Sequence, residues 1–159
     1  MHYLVSQIIQ QLQSELNTAI AASQQAHASA TDNENVAENK YDTLAVEAAY
    51  LAHGQSMRIA ELQQAILSYQ QFQPAEFNQQ STIALGALVS VENNNTGKIQ
   101  QVFLGPAAGG LLLTHNHKTI HLITRTAPLA LALLGKNIDG EIQLNSHGQL
   151  QDFTIVDIQ

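Results

Sequence analysis

Two spacings of apolar residues divide the chain. Over residues 2–30 apolar side chains recur every three or four positions, which predicts an amphipathic helix. Over residues 36–70 the repeat averages about 3.5 residues, the spacing of a coiled-coil seam, at Leu44, Ala48, Leu51, Gln55, Ile59, Leu62, Ile66 and Tyr69. Pro74 ends this segment. Because residues 31–35 leave room only for a turn, we expect the two helices to form an antiparallel hairpin.

After residue 82 the apolar stretches become short and are separated by turn residues, which predicts strands. The predicted strands are Ile83–Val91, Ile99–Leu104, Leu111–Thr114, Ile120–Thr124, Glu141–Leu144 and Gln151–Ile158. One short helix interrupts them, with Pro128 in its first turn and Gly135 as its stop. The pattern predicts an α+β protein with a helical coiled-coil hairpin over residues 1–73 and an antiparallel sheet domain with one short helix over 82–159. The glutamine-rich residues 71–81 are predicted to link them.

Composition narrows the classes of protein that remain. The chain has 159 residues and no cysteine, which excludes a disulfide scaffold and a thiolate metal site. No apolar run approaches the roughly 18 residues that span a bilayer. The first residues also lack the basic and apolar segments of a secretory signal. We therefore expect a cytoplasmic protein with no membrane partner.

The charge is unevenly distributed. The net charge is −7, and eight of the 13 acidic residues lie in residues 1–80, which hold only two of the six basic residues. Four of those eight acids lie between residues 32 and 42. A protein that grips DNA through its phosphates needs a basic face, so we expect no direct, specific DNA binding.

Four segments carry a resemblance to the GreA/GreB transcription factors. Pro128–Lys136, followed by Asp139-Gly140, resembles a proline-led segment of the C-terminal domain of that family, and Ile83–Val89 is similar to the strand that opens the domain. In the predicted hairpin, Glu38–Asp42 and the segment from Arg58 to Leu62 resemble the family's hairpin sequences. The resemblance covers nearly the whole chain.

This resemblance implies a fold, a partner and a mode of action. It implies an FKBP-like fold for residues 82–158 and bacterial RNA polymerase as the partner. Pro128, Leu129 and Ala130 would contact the polymerase, and the hairpin would enter its secondary channel. The protein would be a cytoplasmic monomer and no enzyme itself, modulating elongation or transcript cleavage by the polymerase.

The predicted hairpin tip, residues 31–39, would act at the polymerase active centre. Its candidate residues are Asp32, Glu34, Asn35 and Glu38. If Glu38-Asn39 matches the family's Glu-Asn pair, the family's Asp position falls on Asn35; a shifted alignment puts Asp32 and Glu34 there instead. Carboxylate oxygens suit Mg²⁺, so Asp32, Glu34 and Glu38 would share a Mg²⁺ of the polymerase, and no cofactor of the chain's own is expected. Glu34 and Glu38 also have the spacing of helix caps.

Alternative interpretations stay open. The hairpin would block the channel without stimulating cleavage, the FKBP-like fold would act as a prolyl isomerase, or the hairpin would pair with a helix of another protein. Residues His115, His117 and His121 are interpreted as a solvated turn and not as a metal site. In the short helix, Leu131 and Leu134 are expected in the core.

Overall fold

The computed structural model of the protein describes residues 2–31, 43–146 and 148–159. Its elements in chain order are α1 (His2–Thr31), α2 (Thr43–Gln70), β1 (Leu88–Asn93), β2 (Ile99–Leu104), β3 (Leu112–His115), β4 (Lys118–Ile123), α3 (Pro128–Leu133), β5 (Glu141–Ser146) and β6 (Gln149–Ile158). The predicted turn at 31–35 and the predicted start of the second helix, residues 36–42, lie outside the described residues, apart from Thr31. The α+β class is confirmed.

The chain divides into two compact units. A helical unit comprises Ile9–Leu67, and a sheet unit comprises Met1–Ile8 together with Ser68–Gln159. Both boundaries fall inside helices, so the first turns of α1 and the last residues of α2 belong to the sheet unit. Each unit has its own buried apolar residues, and they are described separately.

The helical unit pairs α1 with α2. The Nη2 atom of Arg58 lies 2.9 Å from Oε2 of Glu15, which links the two helices. Leu12 and Leu16 on α1 and Leu62 and Ile66 on α2 are buried, as the periodicity predicts. Leu51, predicted on the seam, is instead 63% exposed, while its neighbour Ala52 is half-buried. On the N-terminal side of Gly54 the buried side of α2 therefore departs from the strict repeat at Leu51, and the prediction for Leu51 is wrong.

The sheet unit contains one six-stranded sheet in the order β3-β4-β2-β1-β6-β5. Among the described strands, the ladders are antiparallel except for β2 and β4, which run parallel with Gln101 opposite Ile120. The antiparallel prediction thus needs one correction. A strand period shows which residues share a face but carries no information on direction, so only the long connection between β2 and β4 could have suggested the crossover.

The first predicted strand, Ile83–Val91, starts late. The structure begins β1 at Leu88, and residues 83–87 make other hydrogen bonds. The Ala87 amide bonds back to the Ala84 carbonyl at 3.1 Å, and Gly86 has a φ of +99°. A backbone that turns in this way cannot continue a ladder, so the apolar character of this segment reflects burial rather than strand pairing.

One face of the sheet packs against α3. The buried cluster on this side contains Ala130 and Leu133 of the helix together with sheet residues that are almost inaccessible to solvent: Val89, Val91, Val102, Leu104, Ile142, Phe153, Ile155 and Ile158. Alternate residues of each strand supply it, because successive side chains of a strand point to opposite faces. This packing fixes α3 on the sheet.

The last residues of α2 are anchored inside the sheet unit by Tyr69. Its side chain is 1% exposed, and its hydroxyl donates to the Ala107 carbonyl at 2.9 Å. Burial raises the pKa of the Tyr69 phenol well above its usual range. A Cβ on Gly105 would overlap the Tyr69 hydroxyl and lie 2.6 Å from a methyl group of Leu122. Glycine is therefore required at 105 by the close approach of the tyrosine.

The outer edge of β3 is covered by the first turns of α1. The amide Nε2 of Gln7 donates to the Thr114 carbonyl at 3.1 Å, and the ring of Tyr3 lies 5.2 Å from that of His115. An exposed sheet edge is a site of unwanted strand pairing. At β3 the protein's own helix blocks that edge.

Candidate partner-binding surfaces

The short helix α3 has the start and stop that its sequence predicts. Pro128 occupies the first helical position, where the missing amide is no loss. The helix ends at Leu133, Leu134 caps it by donating its amide to Ala130, and Gly135 follows with a φ of +79°. Such an ending favours glycine because side chains rarely tolerate a positive φ.

The structure separates the three predicted contact residues of α3. Pro128 is exposed, Leu129 is half-buried against the core, and Ala130 is completely buried. A completely buried alanine offers no side chain to a partner in this conformation. Leu131, which we expected in the core, is 65% exposed, so that prediction is wrong. Leu134, expected in the core as well, is partly buried against it.

The exposed side of α3 is therefore formed by Pro128 and Leu131, three residues apart and on one side of the helix. We call these two residues the α3 surface. The sequence contained the signal for it: Ala130, Leu133 and Leu134 form the i, i+3, i+4 set that faces the core, which leaves Leu131 on the other side. Residue type alone does not indicate this side, because the position of each leucine around the helix axis decides whether it is buried.

The two C-terminal segments that resemble the Gre family lie together in the fold. The Ile83 amide donates to the Lys136 carbonyl at 2.8 Å, and the Gly135 amide donates to the Ile83 carbonyl at 2.9 Å. The Asp139 amide bonds to Ile155 of β6 at 2.8 Å. The main-chain bonds of residues 83, 135–136 and 139 thus fix the end of α3 to the sheet.

The predicted tip residues, Asp32, Glu34, Asn35 and Glu38, lie outside the described residues. Their roles stay predictions from the sequence. The same holds for the capping interpretation of Glu34 and Glu38.

Arg58 is one of the two basic residues of the first half of the chain, and its charge is engaged. Besides Glu15, the Glu61 carboxylate lies 3.6 Å from its Nη1 atom. Both pairs are more than a third exposed, so each contributes little to stability. Their effect on the local potential is clear, because two carboxylates offset one guanidinium.

The histidines of the β3–β4 hairpin lie at the end of β3, in the turn and on β4. Asn116 and His117 both have positive φ in the two-residue turn between His115 and Lys118. His121 lies opposite Leu112 on β4 and is exposed. Across residues 2–31, 43–146 and 148–159, no group of three or more His or acidic side chains could hold a metal ion. None of the helices in those ranges has both the length and the apolar character to cross a membrane.

The aromatic residues of the C-terminal half do not form an open pocket wall. Phe103 is 0% exposed and Phe153 is 7% exposed, and Phe153 belongs to the core against α3. A prolyl-isomerase site would need an apolar wall that a peptide can reach. These two side chains are used for packing instead.

Comparison with known proteins gives matches among solved structures alone. No protein-family model and no curated protein matches the chain. Gfh1 from Thermus aquaticus is 20% identical with a TM-score of 0.41, covering 94% of this chain and 92% of that one. GreA factor homolog 1 (Gfh1) from Thermus thermophilus is 20% identical with a TM-score of 0.39, covering 95% and 94%.

A third solved structure, the prokaryotic transcription elongation factor GreA/GreB from Nitrosomonas europaea, is 16% identical with a TM-score of 0.40 and covers 74% of this chain and 95% of that one. The chain is similar to Gre-type factors.

Proposed function

We propose that the chain is a Gre-like transcription factor that binds bacterial RNA polymerase. The observation that carries the proposal is the segment Pro128–Lys136. Its sequence resembles the family's C-terminal segment, and it folds as a helix with Pro128 and Leu131 exposed. The same chain contains the two paired helices α1 and α2. An exposed leucine beside an exposed proline is a suitable anchor for a protein interface.

In this proposal the sheet unit docks on the polymerase through the α3 surface, and the helical hairpin enters the secondary channel. Each helix is about 40 Å long, because 28–30 residues at roughly 1.5 Å each give that length. The predicted tip would then reach the polymerase active centre. Asp32, Glu34 and Glu38 would offer carboxylate oxygens to a Mg²⁺ held there, a suitable donor set for that cation.

Two features favour occupancy of the secondary channel over tight binding of the transcript. Arg58 is paired with two carboxylates, and one alignment places the neutral Asn35 at the family's Asp position. We therefore propose that the chain modulates elongation by the polymerase. The proposal has two forms: the chain stimulates cleavage of the transcript, or it only competes with other factors for the channel.

Binding to purified core polymerase tests the proposal. We expect the chain to be retained by immobilised polymerase and to be displaced by an established channel-binding factor. Leu131→Asp should weaken binding about tenfold or more, because a charge would be desolvated in the contact. Ile99→Asp is the matched control, since Ile99 is a comparably exposed apolar residue, 61%, on β2 of the same unit. Retention unaffected by Leu131→Asp, or no retention of the wild-type chain, would contradict the proposal.

Backtracked elongation complexes distinguish the two forms. A cleavage factor shortens the transcript, and Asp32→Asn, Glu34→Gln and Glu38→Gln then identify the carboxylate that matters. A competitor leaves the transcript intact and reduces cleavage by added Gre factor. If the chain binds and neither effect is seen, the hairpin does not reach the active centre.

A further inference from the structure

The two outer edges of the sheet differ in a way that points to a second copy of the chain. At β3 the edge is covered by Gln7 and Tyr3 of α1. At the opposite end of the strand order lies β5, whose residues Glu141, Gln143 and Asn145 are exposed. Natural sheets protect such an edge with charged residues, above all lysine, with proline or with a bulge. Over Glu141–Ser146 the sequence has no lysine or proline, and its one charged residue is Glu141 at the start of the strand.

The register shows which main-chain groups of β5 face outward. Ile142 pairs with Phe153, Leu144 with Gln151 and Ser146 with Gln149. Just before the strand, the Ile155 amide donates to the Gly140 carbonyl at 3.0 Å. Hydrogen-bonded positions alternate along an antiparallel strand, so the even-numbered residues bond to β6. The amides and carbonyls of the odd-numbered residues 141, 143 and 145 point away from the sheet.

This outward row is self-complementary. If two copies of β5 pair antiparallel about a two-fold axis at Gln143, Glu141 lies opposite Asn145 of the other copy. A carboxylate then faces an amide donor, and no like charges are directly opposed, which would be unfavourable. On the face toward the core, Ile142 lies opposite Leu144, so an apolar pair forms beside the existing core. Each of the three outward pairs exchanges main-chain hydrogen bonds.

We propose that the β5 edge is a self-association surface, through which two copies form a symmetric dimer with one continuous sheet. A two-fold axis makes the same patch serve both partners, as the register requires. The proposed dimer differs from the monomer that the Gre resemblance implies. The proposal does not depend on polymerase binding, because every contact in it is made between copies of this chain.

Sedimentation equilibrium of the purified chain, without polymerase, tests the proposal. We expect the average mass to rise from monomer to dimer with concentration. Higher salt should favour the dimer, because each copy carries a net charge of −7. Gln143→Pro removes one outward amide per copy and leaves the main-chain ladder to β6 intact, as proline is accepted on an edge. Like Gln143→Ala, it also removes the bond from the Gln143 side-chain amide to Asp152 on β6, 2.9 Å long. It should weaken the dimer about tenfold or more.

Two further variants separate this contact from a general loss of folding. Gln143→Ala keeps the main-chain amide and should change the dimerisation constant by less than about threefold. Gln143→Glu places two carboxylates across the two-fold axis, each beside Asp152 of its own copy, and should weaken the dimer most at low salt. Hydrogen exchange gives the direct readout: the Gln143 amide should become protected as concentration rises, while Leu144 stays protected throughout.

Several results would overturn the proposal. They are a monomer at every concentration up to about 1 mM, a dimer that is as stable in Gln143→Pro and Gln143→Glu as in the wild-type chain, or a dimer in which the Gln143 amide still exchanges freely. None of them bears on whether the chain binds polymerase.

Discussion

In the sheet unit, Val89, Val91, Leu104 and Ile155 have no exposed surface at all, and α3 closes the core over them. In the helical unit, burial decreases from Leu12 towards the C-terminal end of α1 and from Leu62 towards the N-terminal end of α2. Leu12 and Leu62 are 2% exposed, whereas Ile59 is only half-buried and Leu51 is 63% exposed.

The two units therefore differ in the interactions that stabilise them. Interdigitated apolar side chains set the geometry of the sheet unit, since dense packing resists small changes. Over its described residues, the helical unit instead has a narrower seam, which includes a glutamine, and the two exposed ion pairs of Arg58. Within the part of the chain that the structure describes, the Gln55 side-chain oxygen is buried and has no hydrogen-bond partner. Local stability is expected to differ accordingly, with the helices opening before the strands.

The largest expected effect is a cavity in the sheet core. Leu104→Ala should lower the free energy of unfolding of the sheet unit by about 2–5 kcal/mol, because it removes a completely buried side chain. Urea unfolding monitored by hydrogen exchange would report strands and helices separately. Leu112→Ala is the control, as Leu112 is 54% exposed on β3. Equal losses in the two variants would contradict the contrast between core and surface.

The next effect concerns the contact between Tyr69 and Gly105. Gly105→Ala should destabilise the sheet unit by about 1–3 kcal/mol, because its methyl group overlaps the tyrosine hydroxyl. Tyr69→Phe should cost about 1–2 kcal/mol by leaving the Ala107 carbonyl unpaired. Combined, the two changes should cost less than their sum, since the phenylalanine removes the overlapping oxygen. Strict additivity in a double-mutant cycle would show that the overlap is absent.

A third change should reduce the difference in stability between the two units. Gln55→Leu replaces a buried, unpaired oxygen with an apolar group on the helix seam and should stabilise the helical unit by about 1 kcal/mol. Hydrogen exchange of α2 amides measures it. Gln63→Leu, on the exposed side of the same helix, is the control and should have little effect. Slower exchange in the control alone would contradict the assignment of Gln55 to the seam.

The smallest effect is expected for the ion pair. Arg58→Ala should lower stability of the helical unit by at most about 0.5 kcal/mol, because the Arg58 side chain is 56% exposed. The loss should vanish at high salt, where the exposed pair is screened. Thermal unfolding at low and high ionic strength measures it, with Gln63→Ala as the control. A loss of more than about 2 kcal/mol in the free energy of unfolding would contradict the exposed position of the Arg58 side chain.

The elements could be predicted from sequence where local chemistry decides them. Strand β2 has the predicted bounds, Ile99–Leu104, and α3 lies between Pro128 and Gly135 as proline and glycine signals indicate. Residues 83–87 could not be separated from β1 in this way, because they are apolar like a strand, and the contact of Gly86 with Phe72 and Pro74 is visible only in the fold. The parallel pairing of β2 with β4 was equally hidden, since strand direction is set by the path of the chain.

The candidate sites show the same limit. The α3 segment could be found from its motif, yet the residue that it exposes, Leu131, depends on which side of the helix meets the sheet. The β5 edge carries no motif at all. Its outward row emerges only once Ser146 is known to pair with Gln149 and the alternation can be followed back to Glu141.

The bond between Gln7 and Thr114 joins residues 107 positions apart. During synthesis the beginning of α1 therefore leaves the ribosome long before its partner strand exists. Contacts between distant residues slow the search for the native state. We expect α1 and α2 to pack together early in folding. Tyr3 and Gln7 can contact β3 only after that strand has formed. The first turns of the chain are therefore expected to be among the last parts of the protein to reach their native contacts.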